Sequence, residues 1–167
     1  MENTKIERKE RVAADVVAFS KNGEAVLLVE VKSNEPNFKN NAYIQRAIEQ
    51  IISYLRKADK LIPFAMLVTL KTIQVYQWDG INLSKPLIYL QTADVLSYYE
   101  AEFESKRIFH LYLATLVEAW LRDLAYHWKS QNPPAIEELK AIGLLERLTD
   151  GTTQSEVIIS NDTLRRN

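Results

Sequence analysis

The 167-residue sequence contains no cysteine, only four glycines and only five prolines. The absence of cysteine excludes a disulfide framework, a thiol nucleophile and a zinc site built from thiolates. It suits a reducing compartment, so we expect a cytoplasmic protein. No apolar run is long enough to span a bilayer, and the charged, polar start does not resemble a secretory signal peptide. We therefore expect no membrane association.

The sequence also lacks a strong excess of either charge. It carries 21 Lys and Arg against 22 Asp and Glu, which gives a formal net charge of −1. Residues 1–60 hold 11 basic and 9 acidic side chains, and the rest of the chain holds 10 and 13. Proteins that hold duplex DNA through phosphate contacts usually show a clearer basic excess. Charge alone therefore gives only weak support to DNA as a partner.

Apolar periodicity predicts strands and one helix in the first half of the chain. Four segments have the composition of strands, namely 11–20, 25–32, 63–70 and 72–78. Asn22-Gly23 suits a tight hairpin turn between the first two. Apolar residues at helical spacing predict a helix over 41–60. Beyond about residue 92 the pattern is helical, in the segments 93–103, 107–129 and 135–148.

This order predicts an α/β fold with a mixed β-sheet flanked by helices and a helical C-terminal part. We assign residues 1–90 to the core. Residues 91–150 form a helical extension that packs on the core or in a dimer, and residues 151–167 form a tail. A homodimer through the C-terminal helices is therefore one expected assembly.

The stretch "VLLVEVKS" (26–33) places charged side chains inside an apolar strand. Glu30 and Lys32 are two residues apart, so they project from the same face. Asp15 lies seven residues before Asn22 and Glu30 lies seven residues after Gly23, so pairing about this turn sets the two acids opposite each other. Opposed carboxylates repel, and their burial is costly unless something neutralises them. Mg²⁺ or Mn²⁺ bound by both acids would do so, with Lys32 positioned to orient or activate water.

The pattern Asp15…Glu30-Val31-Lys32 resembles the motif of the PD-(D/E)XK nuclease superfamily. Within it, residues 11–80 are most similar to the N-terminal nuclease domain of type I restriction enzyme R subunits and their stand-alone relatives. The resemblance implies a restriction-endonuclease-like fold and a Mg²⁺-dependent endonuclease that hydrolyses DNA phosphodiester bonds. Asp15 and Glu30 would bind the metal, and Lys32 would act on the attacking water.

The resemblance extends to the helix that follows. Some members carry a Gln-x-x-x-Tyr motif there, and Gln50 and Tyr54 have that spacing. It implies that Gln50 helps to place water or phosphate. We expect Tyr54, Arg46 and Lys57 to contact the nucleic acid.

Two positions depart from the family pattern. Ala14 stands where a proline usually precedes the first acid. The segment before the first strand is about ten residues long, whereas members usually have a full helix there with a further glutamate for the metal site. Glu7 and Glu10 are the candidates for that role.

Purely structural interpretations of the same residues are also open. Glu30 and Lys32 could form an ion pair on an edge strand, and such surface pairs contribute little. His110 and His127 fit packed or exposed helix residues better than ligands. The aromatic cluster near the end of the long helix fits helix packing or a dimer contact, and comprises Trp120, Tyr126 and Trp128. An alternative function is a catalytically inactive nuclease-fold module that serves as a DNA- or protein-binding subunit.

Overall fold

A computed structural model describes residues 13–34 and 42–159, which form six strands and five helices. The strands are β1 (Ala13–Phe19), β2 (Ala25–Lys32), β3 (Phe64–Thr69), β4 (Thr72–Gln77), β5 (Ile88–Gln91) and β6 (Thr152–Ile158). The helices are α1 (Ala42–Lys57), α2 (Thr92–Leu96), α3 (His110–Tyr126), α4 (Ile136–Ala141) and α5 (Leu144–Leu148). Glu7 and Glu10 lie outside the described residues.

The strands form one mixed sheet in the order β5-β4-β3-β2-β1-β6. β2 and β3 are parallel, and each of the other neighbouring pairs is antiparallel. Parallel neighbours need a crossover connection, and α1 provides it. The predicted α/β class with a mixed sheet flanked by helices is therefore confirmed.

The β1–β2 hairpin sets the position of the acidic residues. Gly23 in its turn has φ +80°, a left-handed conformation that glycine adopts without strain. Val16 pairs with Val29, and a bulge near the turn absorbs one residue of β2. One step further toward the open end of the hairpin, the same register brings Asp15 level with Glu30.

Both faces of the sheet are covered, which explains the nearly continuous apolar run of β2. On one face, Leu28 belongs to the core that includes Ile51 of α1. On the other, Val29 belongs to the core that includes Leu113 and Trp120 of α3. The faces alternate along β2, so Glu30 and Lys32 share the side covered by α1.

Several elements differ from the sequence-based prediction, among them the helix predicted over 93–103, which is observed as the short α2. The predicted helix over 107–129 begins at His110 and ends at Tyr126, where His127 takes a left-handed φ of 54°. The predicted helix over 135–148 divides into α4 and α5 around Gly143, whose φ is +82°. β6 pairs with β1 and lies within residues 151–167, which were predicted to form a tail.

Weak local signals account for these differences. In β6 only Val157 is buried, so the alternation that identifies a strand is missing. β5 has only four residues and was not predicted at all. β5 is defined by its pairing with the preceding strand β4, and β6 by its pairing with β1, which is distant in sequence. In the part of the chain that the structure describes, no helix is long and apolar enough to cross a membrane.

We expect Gly151→Ala to weaken the attachment of β6. A Cβ atom at this position would lie 2.0 Å from the carbonyl oxygen of Phe19, and a backbone atom cannot move aside cheaply. The free energy of unfolding in urea should fall by about 2 kcal/mol or more.

Gly143→Ala is the matched control. Its added Cβ would meet no atom within 4 Å, so only the strain of a left-handed φ remains, about 1 kcal/mol. Equal losses of stability in the two variants would contradict the predicted clash at residue 151.

Candidate functional site

The candidate site lies at the open end of the β1–β2 hairpin, on the side of the sheet covered by α1. The Glu30 side chain is buried there, and the residue is only 3% exposed. Lys32 Nζ lies 3.3 Å from Glu30 Oε1. The second carboxyl oxygen, Oε2, is buried, and no geometric hydrogen-bond partner for it is found among the described residues. Glu30 is therefore not half of an exposed surface ion pair, and its Oε2 is removed from solvent beside Asp15.

The electrostatic environment of Glu30 disfavours its ionised form. Burial, followed by the nearby Asp15 carboxylate, raises the pKa of the Glu30 carboxyl from 4.5 to about 8. The Lys32 ammonium acts in the opposite direction but does not cancel these effects. Burial and the neighbouring carboxylate thus favour the protonated form of the Glu30 carboxyl group. A cation placed between the two acids would favour their ionised forms.

Asp15 is fixed by hydrogen bonds to both of its carboxylate oxygens. The backbone amide of Val31 donates to Oδ2 at 2.7 Å. His110 Nε2 lies 2.8 Å from Oδ1. The first contact joins Asp15 to the strand that carries Glu30, and the second joins it to the start of α3.

His110 is the residue of this site that the sequence analysis did not identify. It lies 95 residues from Asp15, and neither a motif nor a short-range spacing connects the two. The apolar face of α3 packs on the sheet, which brings the first residue of this helix beside Asp15. His127 has a different role, because its Nδ1 contacts the carbonyl oxygen of Ser130.

α1 holds Lys32 through a short chain of side chains. Lys32 Nζ donates to Gln50 Oε1 at 3.0 Å, and Gln50 Nε2 donates to the Tyr54 hydroxyl at 2.6 Å. Tyr54 is buried, and burial raises the pKa of its phenol. The residue therefore orients Gln50 from within the core. It has little surface with which to contact a nucleic acid.

The two remaining sequence-predicted residues are exposed on α1. Arg46 Nε donates to the carbonyl oxygen of Ala42 within the same helix at 3.3 Å. Lys57 lies in the last turn of α1, one turn beyond Tyr54. Tyr43 lies at the other end of the helix, near Lys32. Burial raises the pKa of the Tyr43 phenol, and the Lys32 ammonium partly opposes this rise.

Asp15 and Glu30 are the residues that would hold the Mg²⁺ or Mn²⁺ ion implied by the sequence. Among residues 13–34 and 42–159, no group of three or more His, Asp or Glu side chains is arranged to hold a metal ion. Mg²⁺, however, is commonly held by one or two carboxylates, with water and substrate oxygens completing the shell. Asp15 and Glu30 supply two carboxyl groups, and loss of the Glu30 proton would leave its buried Oε2 able to act as a ligand. These residues fit such an ion.

Comparison with known proteins identifies no relative. No protein-family model, curated protein or solved structure matches the chain. The function must therefore be inferred from the residues of the site and from their geometry.

The raised pKa of Glu30 predicts a pH-dependent stability. The unfolded chain releases this proton near pH 4.5, whereas the folded protein retains it until about pH 8. The contribution of Glu30 to the free energy of unfolding is therefore fully present below about pH 4.5. It is lost as the pH rises to about 8, by at most about 1.4 kcal/mol for each pH unit. Glu30→Gln, which mimics the protonated form, should gain stability relative to the wild type between pH 5 and pH 8.

Urea denaturation at pH 5, 6.5 and 8 in EDTA measures this difference. Glu146→Gln on α5 is the control, since Glu146 is exposed and its substitution should leave the pH profile unchanged. Parallel profiles for the wild type and Glu30→Gln would show that Glu30 is ionised in the folded protein at neutral pH.

Proposed function

We propose that this protein is a metal-dependent nuclease of the PD-(D/E)XK type that hydrolyses DNA phosphodiester bonds. The observation that carries the proposal is the grouping of Asp15, Glu30 and Lys32 at one end of the β1–β2 hairpin. The lysine ammonium lies 3.3 Å from a carboxyl group whose ionised form is disfavoured by burial and by a second acid. Such clustering of perturbed titratable groups is typical of functional sites.

Asp15 and Glu30 would hold Mg²⁺ or Mn²⁺. A bound ion of this kind lowers the pKa of water and offsets negative charge on a phosphate. Asp15 is oriented for this role by Val31 and His110, and Glu30 by the rigid central strand. Burying two adjacent ionised carboxylates costs free energy unless a bound cation neutralises their charge.

Lys32 would orient the attacking water and stabilise charge on the phosphate. Its ammonium contacts Glu30 Oε1 and Gln50 Oε1, which together use two of its three donors. Gln50 would thus position Lys32 as well as water or phosphate. Fixing a catalytic ammonium in this way preserves the geometry that proton transfer requires.

The chain topology supports a restriction-endonuclease-like arrangement. A hairpin carries the acids, a helix follows, and the next strand returns parallel to the lysine-bearing strand. This order puts α1 over the face from which Glu30 and Lys32 project. This order of elements supports the proposed restriction-endonuclease-like arrangement.

A second candidate function is a nuclease-fold module that binds DNA or protein without catalysis. It is favoured by the metal-free geometry, in which both Asp15 oxygens already accept hydrogen bonds and the described residues supply only two carboxylates. Exposed aromatic rings near the end of α3, Tyr126 and Trp128, would suit a protein contact or a homodimer.

We expect Lys32→Ala to reduce Mg²⁺-dependent cleavage of plasmid and linear DNA by at least about 100-fold. The far-UV circular dichroism should be unchanged, since Lys32 ends its strand and is partly exposed. Lys21→Ala is the matched control, because Lys21 is an exposed lysine in the hairpin turn, at the opposite end of β2. It should cleave as the wild type does.

Equal cleavage by the wild type and Lys32→Ala, after removal of contaminating nuclease, would refute the catalytic role. Calorimetry with Mn²⁺ separates the two candidate functions further. Binding heat that disappears in Asp15→Asn supports the nuclease. No heat with the wild type, together with stable self-association, supports the binding module.

A further inference from the structure

The hydroxyl group of Tyr43 is buried and has a proton to donate. Tyr43 is the second residue of α1, and no geometric hydrogen-bond partner for its hydroxyl is found among the described residues. The backbone amide of Asn34 acts on the phenol as a donor, which serves the oxygen and not the proton. Buried polar groups are normally hydrogen-bonded, so the unpaired proton identifies Tyr43 as a candidate contact for a bound ligand.

The described residues contain one other buried side-chain atom of this kind, and it belongs to the candidate site. This atom is Glu30 Oε2. The two residues lie close together, because the charges of Lys32 and Glu30 both act on the Tyr43 phenol, whose pKa is raised chiefly by burial. Polar atoms without a partner are few in a folded protein, and perturbed groups concentrate at functional sites.

The path of α1 brings the Tyr43 phenol to the open end of β2. The helix connects two parallel strands, so it begins beyond the end of β2 and runs back along it. Gln50 contacts Lys32, and Tyr43 precedes Gln50 by seven residues, which is about two turns on the same face of the helix. Tyr43 therefore borders the site on the side beyond Lys32, next to Asn34.

The donors at this position select a negatively charged oxygen. The Tyr43 hydroxyl can donate one hydrogen bond. The Lys32 ammonium has three donors, and its contacts with Glu30 Oε1 and Gln50 Oε1 use two of them. Hydrogen bonds from such groups to an ionised acceptor are stronger than those to a neutral one. A non-bridging oxygen of a phosphodiester is an acceptor of this type.

We propose that the Tyr43 hydroxyl donates a hydrogen bond to a non-bridging oxygen of the phosphate group that Lys32 contacts. The role differs from that of Tyr54, whose buried hydroxyl accepts a hydrogen bond from Gln50. The inference rests on the proposed nuclease function, in which a bound Mg²⁺ ion offsets the charges of the two acids. It gives α1 a direct contact with the substrate in addition to its contact with Lys32.

Tyr43→Phe tests the inference, because it removes only the hydroxyl group. The value of kcat/KM for Mg²⁺-dependent cleavage of DNA should fall by at least about tenfold, as expected for a lost hydrogen bond to a charged group. The free energy of unfolding in urea, measured in EDTA, should stay the same or rise, because the substitution removes a buried polar group without an acceptor. A hydroxyl with a purely structural role would lower this free energy when removed.

Tyr89→Phe is the matched control, because Tyr89 is an exposed tyrosine on β5, at an edge of the sheet. Its kcat/KM and its stability should equal those of the wild type. Inorganic phosphate provides a measurement that needs no cleavage. In Mg²⁺, its dissociation constant follows from the increase of the unfolding free energy with phosphate concentration. This constant should be at least about tenfold higher for Tyr43→Phe than for the wild type.

The outcomes separate this inference from the proposed catalysis. Cleavage by the wild type with an unchanged kcat/KM in Tyr43→Phe would overturn the inference and leave the nuclease proposal standing. No cleavage by the wild type, with phosphate binding that is weakened in Tyr43→Phe, would refute the nuclease and support the phosphate contact. Absent phosphate binding, equal phosphate affinity of the wild type and Tyr43→Phe, or a loss of stability in Tyr43→Phe, would overturn the inference.

Discussion

The burial of the Glu30 carboxyl group is the constraint on which the arrangement of this end of the molecule depends. A carboxyl group in the middle of a sheet covered on both faces needs partners, because its ionised form is otherwise strongly disfavoured. Lys32 supplies a partial counter-charge, and Gln50 and Tyr54 hold that lysine in place. The contact between Lys32 and Gln50 depends on α1 lying over β2. The crossover helix is therefore as much a part of the site as the strands are.

Asp15 connects the same site to the other layer of the fold. Its carboxylate accepts one hydrogen bond from β2 and contacts the first residue of α3. Helices that pack on opposite faces of the sheet thus meet at one pair of acids. This arrangement explains why the helical C-terminal part cannot be regarded only as an appendage to a smaller core.

The sequence predicts the parts of this site that local patterns define. Asn22-Gly23 predicts the hairpin and its approximate register, the two-residue spacing of Glu30 and Lys32 predicts a shared face, and helical periodicity predicts α1. It does not predict the contact of His110 with Asp15, because that contact depends on how α3 packs. The sequence also does not predict β6, because a mostly exposed edge strand carries little hydrophobic alternation. The burial of Tyr54 depends on how far α1 is rotated about its own axis. The apolar residues of α1 are spread around the helix too broadly to fix that rotation from the sequence.

The pairing of β6 with β1 has a consequence for how the chain reaches its folded state. β1 meets β2 within a short hairpin, but Ala14 on its other side meets Val157, 143 residues later in the sequence. During synthesis on the ribosome, the outer edge of β1 therefore stays unpaired until nearly all of the described chain has emerged. Open strand edges recruit other strands, and pairings distant in sequence form slowly. The early hairpin beside the acids is thus exposed to misassembly until β6 emerges.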